Sequence, residues 1–171
     1  MSTPEFSRPV DIRQADGRVL SLTAHEAERA ALAARFGLVR IDRLDAEVTL
    51  ERVGEAVTAT GSLDADIVQS CAISAEDLPI VVNEPLAFRF VPARGDRAPD
   101  EEIELDAADC DEIEYGGTTF DLGEAVAQSL ALAIDPFATG PQAEEARRSA
   151  GLLGEQDAGP FAALRKLDLK K

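Results

Sequence analysis

The side chains able to do chemistry in this chain of 171 residues are few, carboxylates apart. It holds one histidine, His25, and two cysteines, Cys71 and Cys110. Nucleophilic catalysis needs a base beside the nucleophile, and imidazole is the usual one. His25 stands alone, early in an expected helix, where a surface role is the simpler reading. Zinc needs three or four Cys or His ligands at short spacing, which two isolated cysteines do not supply. Paired carboxylates can hold Mg²⁺ or work as acid and base. The run Asp106-Ala107-Ala108-Asp109-Cys110-Asp111-Glu112, however, lacks the central Gly and terminal Glu of a calcium loop. Gly116-Gly117 and Gly151-Leu152-Leu153-Gly154 fit no nucleotide fingerprint. The expectation is a protein that binds a partner, with no catalytic residue, cofactor or metal. A hydrolase using metal held by the acidic run is the enzymatic rival.

Charge points to the kind of partner. Acidic residues number 33 against 17 basic, a formal net charge of −16. Between Asp96 and Glu124 there are twelve acids and Arg97 alone. Such a field repels nucleic-acid phosphates and speeds encounter with basic proteins; its plainer use is to keep the protein in solution. Neither a basic leader followed by an apolar stretch nor a membrane-length apolar run is evident. A cytoplasmic protein with reduced thiols is therefore expected, although a Cys71–Cys110 disulfide is not excluded by sequence.

The elements that must position these residues follow from periodicity. Phe6 to Ile12 reads as a short extended segment limited by Pro9. Thr23-x-x-Glu26 predicts a capping box opening a helix rich in alanine, which Gly37 ends. Residues 44–51 and 57–67 alternate apolar and polar around a turn at Gly54-Glu55, predicting two antiparallel strands. Residues 78–90 predict a third strand, with Pro85 marking a bulge or an edge. Ile103, Leu105, Ile113, Tyr115 and Phe120 could form short strands, with a hairpin turn at Tyr115-Gly116-Gly117-Thr118. Asp121-Leu122-Gly123-Glu124 opens a second helix with an apolar stripe from Leu122 to Ile134, ended by Asp135-Pro136.

The predicted fold is α+β: a small antiparallel sheet, with curling toward a barrel left open, packed by two helices. The domain covers residues 1–137 and contains an acidic loop at about 94–112. Residues 138–171 form a flexible tail with a short helix at 160–168. Candidate partner-binding residues are Asp106, Asp109, Asp111, Glu112, Glu114, Asp121, Leu122 and Glu124, which join charge to an apolar helix. Phe161, Leu164 and Leu167 add anchors at i, i+3 and i+6, close to a helix-in-groove pattern.

Several blocks occur in a suggestive order: Phe6-Ser7-Arg8-Pro9-Val10, Gln69-Ser70-Cys71, Glu84-Pro85-Leu86-Ala87-Phe88-Arg89-Phe90-Val91-Pro92, Gly117-x-x-x-Asp121-Leu122-Gly123-Glu124, Leu130 to Phe137, and Pro160 to Leu167. From Phe6 onward the chain resembles the YceD family of bacteria and plastids, whose name refers to accumulation of large-subunit ribosomal RNA. That resemblance implies a non-enzymatic part in ribosome biogenesis. Many members carry paired cysteines that suggest zinc. Here Ser74 stands three beyond Cys71 and no Cys follows Pro136, so the chain resembles the Cys-poor branch. With the acidity added, the expected partner is a basic ribosomal or assembly protein, rRNA being affected indirectly. A general acidic interaction or chaperone-like module is the alternative.

Overall fold

A computed structural model describes residues 4–93 and 112–151. Their order is β1 (Pro9–Asp11), a 3-10 turn (Ile12–Gln14), β2 (Arg18–Thr23), α1 (Glu26–Phe36), β3 (Arg40–Val53), β4 (Ala56–Ser70), β5 (Asp77–Pro92), β6 (Glu112–Tyr115), β7 (Thr119–Asp121), α2 (Leu122–Ala133) and α3 (Ala143–Ser149). The mixed α+β class is as expected. The strands lie in a five-stranded sheet, β2-β3-β4-β5-β6, and a two-stranded one, β1-β7. Among the described residues neither closes into a barrel. The chain divides into two compact units, residues 1–69 with 79–135, and residues 70–78 with 136–171.

The centre of the first unit is the β3–β4 hairpin that alternation predicts. Val53 pairs with Ala56 across Gly54-Glu55, where Gly54 takes the left-handed φ of 66°, which costs glycine nothing. Leu44, Val48 and Leu50 on β3 and Val57, Ala59, Leu63 and Ala65 on β4 are almost completely buried. Period two therefore sorts these strands cleanly into a dry and a wet face. Gly61 faces Val48, and a Cβ there would lie 1.9 Å from the Glu47 carbonyl oxygen. Any larger residue would push the hairpin strands apart.

Several expectations need correction. Arg18–Thr23 is strand β2, paired with β3 from Arg18↔Leu50 to Thr23↔Asp45. Thr23 consequently caps no helix; its hydroxyl donates to Asp45 Oδ1 across the ladder at 2.8 Å. The N-cap of α1 is His25, whose backbone N–H donates to Glu28 at 2.8 Å, and Gly37 closes the helix with φ 67°. The proposed hairpin at Tyr115–Thr118 is a turn between different sheets: β6 pairs with β5, in parallel, and β7 with β1. Residues 78–90 belong to one strand, β5, which passes through an exposed Pro85. The expected flexible tail includes α3. Of the acidic loop only Glu112 is described, in β6; Ile103, Leu105 and the short helix at 160–168 lie outside the described residues.

The two sheets of the first unit meet through aromatic rings. Phe90 of β5, fully buried, stacks on Phe120 of β7 with centroids 4.1 Å apart and planes inclined by 22°. Tyr115 of β6 approaches Phe120 at 6.3 Å and donates its hydroxyl to the Glu55 carbonyl at 2.6 Å.

Candidate functional site

The Asp121-Leu122-Gly123-Glu124 block is where local sequence and distant chain meet. Asp121 is the N-cap of α2, accepting from the Glu124 backbone N–H at 3.1 Å. The same carboxylate accepts from the Arg8 backbone N–H at 2.8 Å and from the Ser7 hydroxyl at 2.6 Å. It thereby satisfies a helix terminus and fastens the N-terminal segment in one stroke. Gly123 lets that segment lie flush on the first turn: a Cβ would come within 2.3 Å of the Phe6 carbonyl oxygen and 2.9 Å of the Arg8 nitrogen. Phe6 is fully buried, and the Arg8 guanidinium sits 4.5 Å above its ring.

Two arginines complete the fastening. Arg8 makes a bidentate pair with Glu28 at 2.7 and 2.9 Å and also donates to the Thr23 carbonyl at 3.1 Å. Arg35 makes a second bidentate pair with Glu124 at 3.0 and 2.8 Å and reaches Glu5 at 2.9 Å. Hydrogen bonding from Arg8 holds the Glu28 carboxyl below its ordinary value, and hydrogen bonding from Arg35 does the same to Glu124. Parallel guanidinium–carboxylate bonds of this kind are the strong class of ion pair.

This geometry changes the standing of the candidate residues. Asp121 and Glu124 spend their charge inside the molecule, and Leu122 is fully buried core. None of these three is offered to a partner as the sequence reading expects. Glu112 is half-buried beside Arg89 at 3.4 Å, while Glu114 is exposed. Asp106, Asp109, Asp111, Phe161, Leu164 and Leu167 lie outside the described residues. His25 is an exposed N-cap. Sequence reasoning missed Ser7, Arg8, Arg35 and Gly123, whose roles depend on contacts across more than a hundred residues for Ser7 and Arg8.

Beside this block the flank of α2 is hollowed. One cavity of about 290 Å³ is lined by Phe90, Ile113, Glu114, Tyr115, Phe120 and Gln128 among others. A second, of about 280 Å³, adds Ala87, Phe88, Glu112, Ser129 and Leu132. A third, of about 230 Å³, is bounded by Glu84, Pro85, Ser129, Leu132 and Ala133. Glu84, Glu112, Glu114, Asp121 and Glu124 border these hollows. Glu112, however, is paired with Arg89 and Glu124 with Arg35, and Asp121 is taken up by the N-terminal segment. Glu112 and Glu114 also alternate along β6 with Ile113 and Tyr115 and so lie on the other face of that strand.

The second unit holds the buried free thiol of Cys71. Its sulfur accepts from the backbone N–H groups of Ser74 at 3.4 Å and Gly140 at 3.3 Å. Hydrogen bonding from the Ser74 side chain, and from backbone N–H groups of Gly140, Ser74 and Ile73, lowers its pKa to about 6. A depressed thiol pKa stabilises the fold above the unfolded value, and the gain is lost as pH falls through 6. In a Cys110→Ser chain, thiolate ultraviolet absorbance is expected to titrate near pH 6 when folded and near its ordinary value, about 8.5, in urea. Equal midpoints would mean that those N–H groups do not hold the sulfur.

Among the described residues no three His, Cys, Asp or Glu side chains cluster as a metal site, and no helix is long and apolar enough to cross a membrane. Comparison with family models, with curated proteins and with solved structures finds no match for this chain.

Proposed function

We propose that this protein is a non-catalytic factor in cytoplasmic ribosome biogenesis. It supports accumulation of large-subunit rRNA by binding a basic ribosomal or assembly protein. The observation that carries the reading is the charge: 33 acids against 17 bases in the chain. A surface of that sign disfavours bare RNA and attracts the basic proteins that coat it. The step from basic partner to ribosome assembly rests on the resemblance to the YceD family. Its most specific block, Asp121-Leu122-Gly123-Glu124, is the one that fastens the N-terminal segment to α2.

The test is sedimentation of the tagged protein from a lysate, followed by capture at low and raised salt. Co-migration with large-subunit precursors is expected, with a basic protein recovered at low salt and lost as salt screens the contact. Depletion should lower large-subunit rRNA relative to small. Free RNA recovered without any basic protein would overturn the reading. Binding of basic clients regardless of ribosome assembly would establish the chaperone-like alternative instead.

A further inference from the structure

Strand β2 is an open edge of the five-stranded sheet: among the described residues it pairs with β3 and with no other strand. The Ala24 N–H donates to the Leu44 carbonyl at 3.0 Å, which sets the parity of this ladder. In an antiparallel pair alternate residues turn their backbone inward. Leu22 and Leu20 therefore face β3, while Val19 and Ser21 turn their N–H and C=O groups outward. No described residue bonds those groups, whereas the next outward carbonyl, that of Thr23, accepts from Arg8 at 3.1 Å. Proteins ordinarily blunt such an edge with a proline, a lysine or a bulge. Here β2 has neither residue, and its register runs unbroken from Arg18↔Leu50 to Thr23↔Asp45. Val19 is 60% exposed and Ser21 is exposed beside it.

The sheet face next to this edge is acidic. Cross-strand partners share a face, and Val19, Ser21 and Thr23 pair with Thr49, Glu47 and Asp45 of β3. With Glu51 on β3, and Asp64 and Asp66 on β4, these strands carry five carboxylates on that face against one guanidinium, Arg43. Arg18 and Arg52 pair with the buried Leu50 and Val57 and so belong to the other face. Arg43 is spent on Asp66 at 2.8 Å and Asp45 at 3.4 Å. Asp45 and Asp64 stand directly opposite each other, an arrangement of like charges that costs stability. Glu47 is exposed and makes no ion pair among the described residues. A strand added outside β2 would lie roughly 10 Å from the β3 backbone. Only the small Ser21 side chain would separate it from Glu47. A lysine stem laid over that serine brings its ammonium to the carboxylate.

Resting on the basic partner proposed above, we infer that β2 receives an extended segment of that partner as a further strand of the sheet. The segment runs antiparallel and exchanges both backbone bonds with Val19 and both with Ser21, the mode of strand addition. Its lysine or arginine opposite Ser21 meets Glu47, and the next basic side chain on that face eases the Asp45–Asp64 repulsion. Its residue opposite the half-buried Leu20 is apolar, extending the dry face. A second copy of this chain is the poorer occupant, because it would set two faces of the same sign side by side.

The probe is a synthetic peptide of about eight residues, a usual strand length, with lysines and valines or leucines in alternation. One control has the same composition scrambled. Another keeps the order but is N-methylated at the residues opposite Val19 and Ser21, so that it cannot donate to their carbonyls. Amide hydrogen exchange in the full chain is the readout. Alone, Val19 and Ser21 should exchange quickly, and Leu20 and Leu22 slowly. The probe should slow Val19 and Ser21 by about tenfold or more and bind about tenfold more tightly than either control, as loss of about 1.4 kcal/mol of bonding requires. Glu47→Lys should weaken binding and flatten its salt dependence. Ser21→Pro removes the outward N–H at an edge, where proline is tolerated, and should weaken binding about tenfold. Should Ser21→Pro fail to fold, the N-methylated peptide tests the same ladder on the wild-type chain. Equal binding of either control, or protection outside β2 alone, would overturn the inference.

Two other occupants have their own signatures. If Val19 and Ser21 are already protected in the dilute chain and Leu167→Asp with Leu169→Asp exposes them, the C-terminal segment fills the edge and the inference fails. If their protection grows with protein concentration in the absence of probe, a second copy fills it and the inference fails likewise. Sedimentation separates this inference from the function it rests on. Ser21→Pro co-migrating with large-subunit precursors as fully as wild type would sink the edge alone, whereas probe binding at β2 without co-migration would sink the ribosomal reading alone.

Discussion

Gly123→Ala is expected to destabilise the protein by about 2 kcal/mol, although helix propensity alone favours alanine by roughly 1 kcal/mol. The sign reverses because the added methyl would lie 2.3 Å from the Phe6 carbonyl oxygen and 2.9 Å from the Arg8 nitrogen, both backbone atoms. Backbone cannot rotate away as a side-chain end can, so the N-terminal segment must lift from α2, and overpacking of this kind costs about 1–3 kcal/mol. Lifting it also lengthens the bonds that Asp121 accepts from Arg8 and Ser7 and withdraws Phe6 from the core. For a chain of this size the loss corresponds to a melting temperature lower by roughly 4–8 °C. Gly116→Ala is the control, because no atom lies within 4 Å of its would-be Cβ and its φ is not left-handed. Thermal unfolding of the two variants decides the matter. A Gly123→Ala protein as stable as its parent would show that the segment does not rest on the helix.

This prediction could not be made from the sequence, and the reason separates what was legible from what was not. The N-cap Asp121 and the stop at Gly37 are decided within one helical turn, and the β3–β4 hairpin is announced by alternation on both sides of Gly54. Strand β2 was hidden because its edge position leaves Val19 60% exposed, blurring the period-two pattern, while Thr23-x-x-Glu26 offered a competing helix signature. The parallel pairing of β6 with β5 involves four residue pairs and is imposed by distant packing. The candidate site divides in the same way. Sequence directed attention to the acids before α2 and to the helix itself. It could not show that Asp121 and Glu124 are occupied by Arg8 and Arg35, because nothing in a residue's neighbours reveals a partner on another element. Leu132 sits off the stripe that runs from Leu122 to Ile134, and only the packed helix shows that side to be open.

Phe90→Ala should be the most damaging of these substitutions, at about 3–5 kcal/mol, the usual range for a fully buried phenylalanine. More than volume is lost. Phe90 and Phe120 belong to different sheets, and their stack at 4.1 Å is a direct bridge from β5 to the β1–β7 pair, which in turn carries Asp121. Because Phe90→Ala could unfold a chain of marginal stability outright, the informative measurement is a double-mutant cycle with Phe90→Leu and Phe120→Leu. Each keeps apolar volume near native while removing the ring pairing. The expected coupling is about 0.5–1.5 kcal/mol in urea unfolding, the increment of an aromatic pair beyond its buried area. Purely additive losses would mean that the rings fill space without joining the sheets.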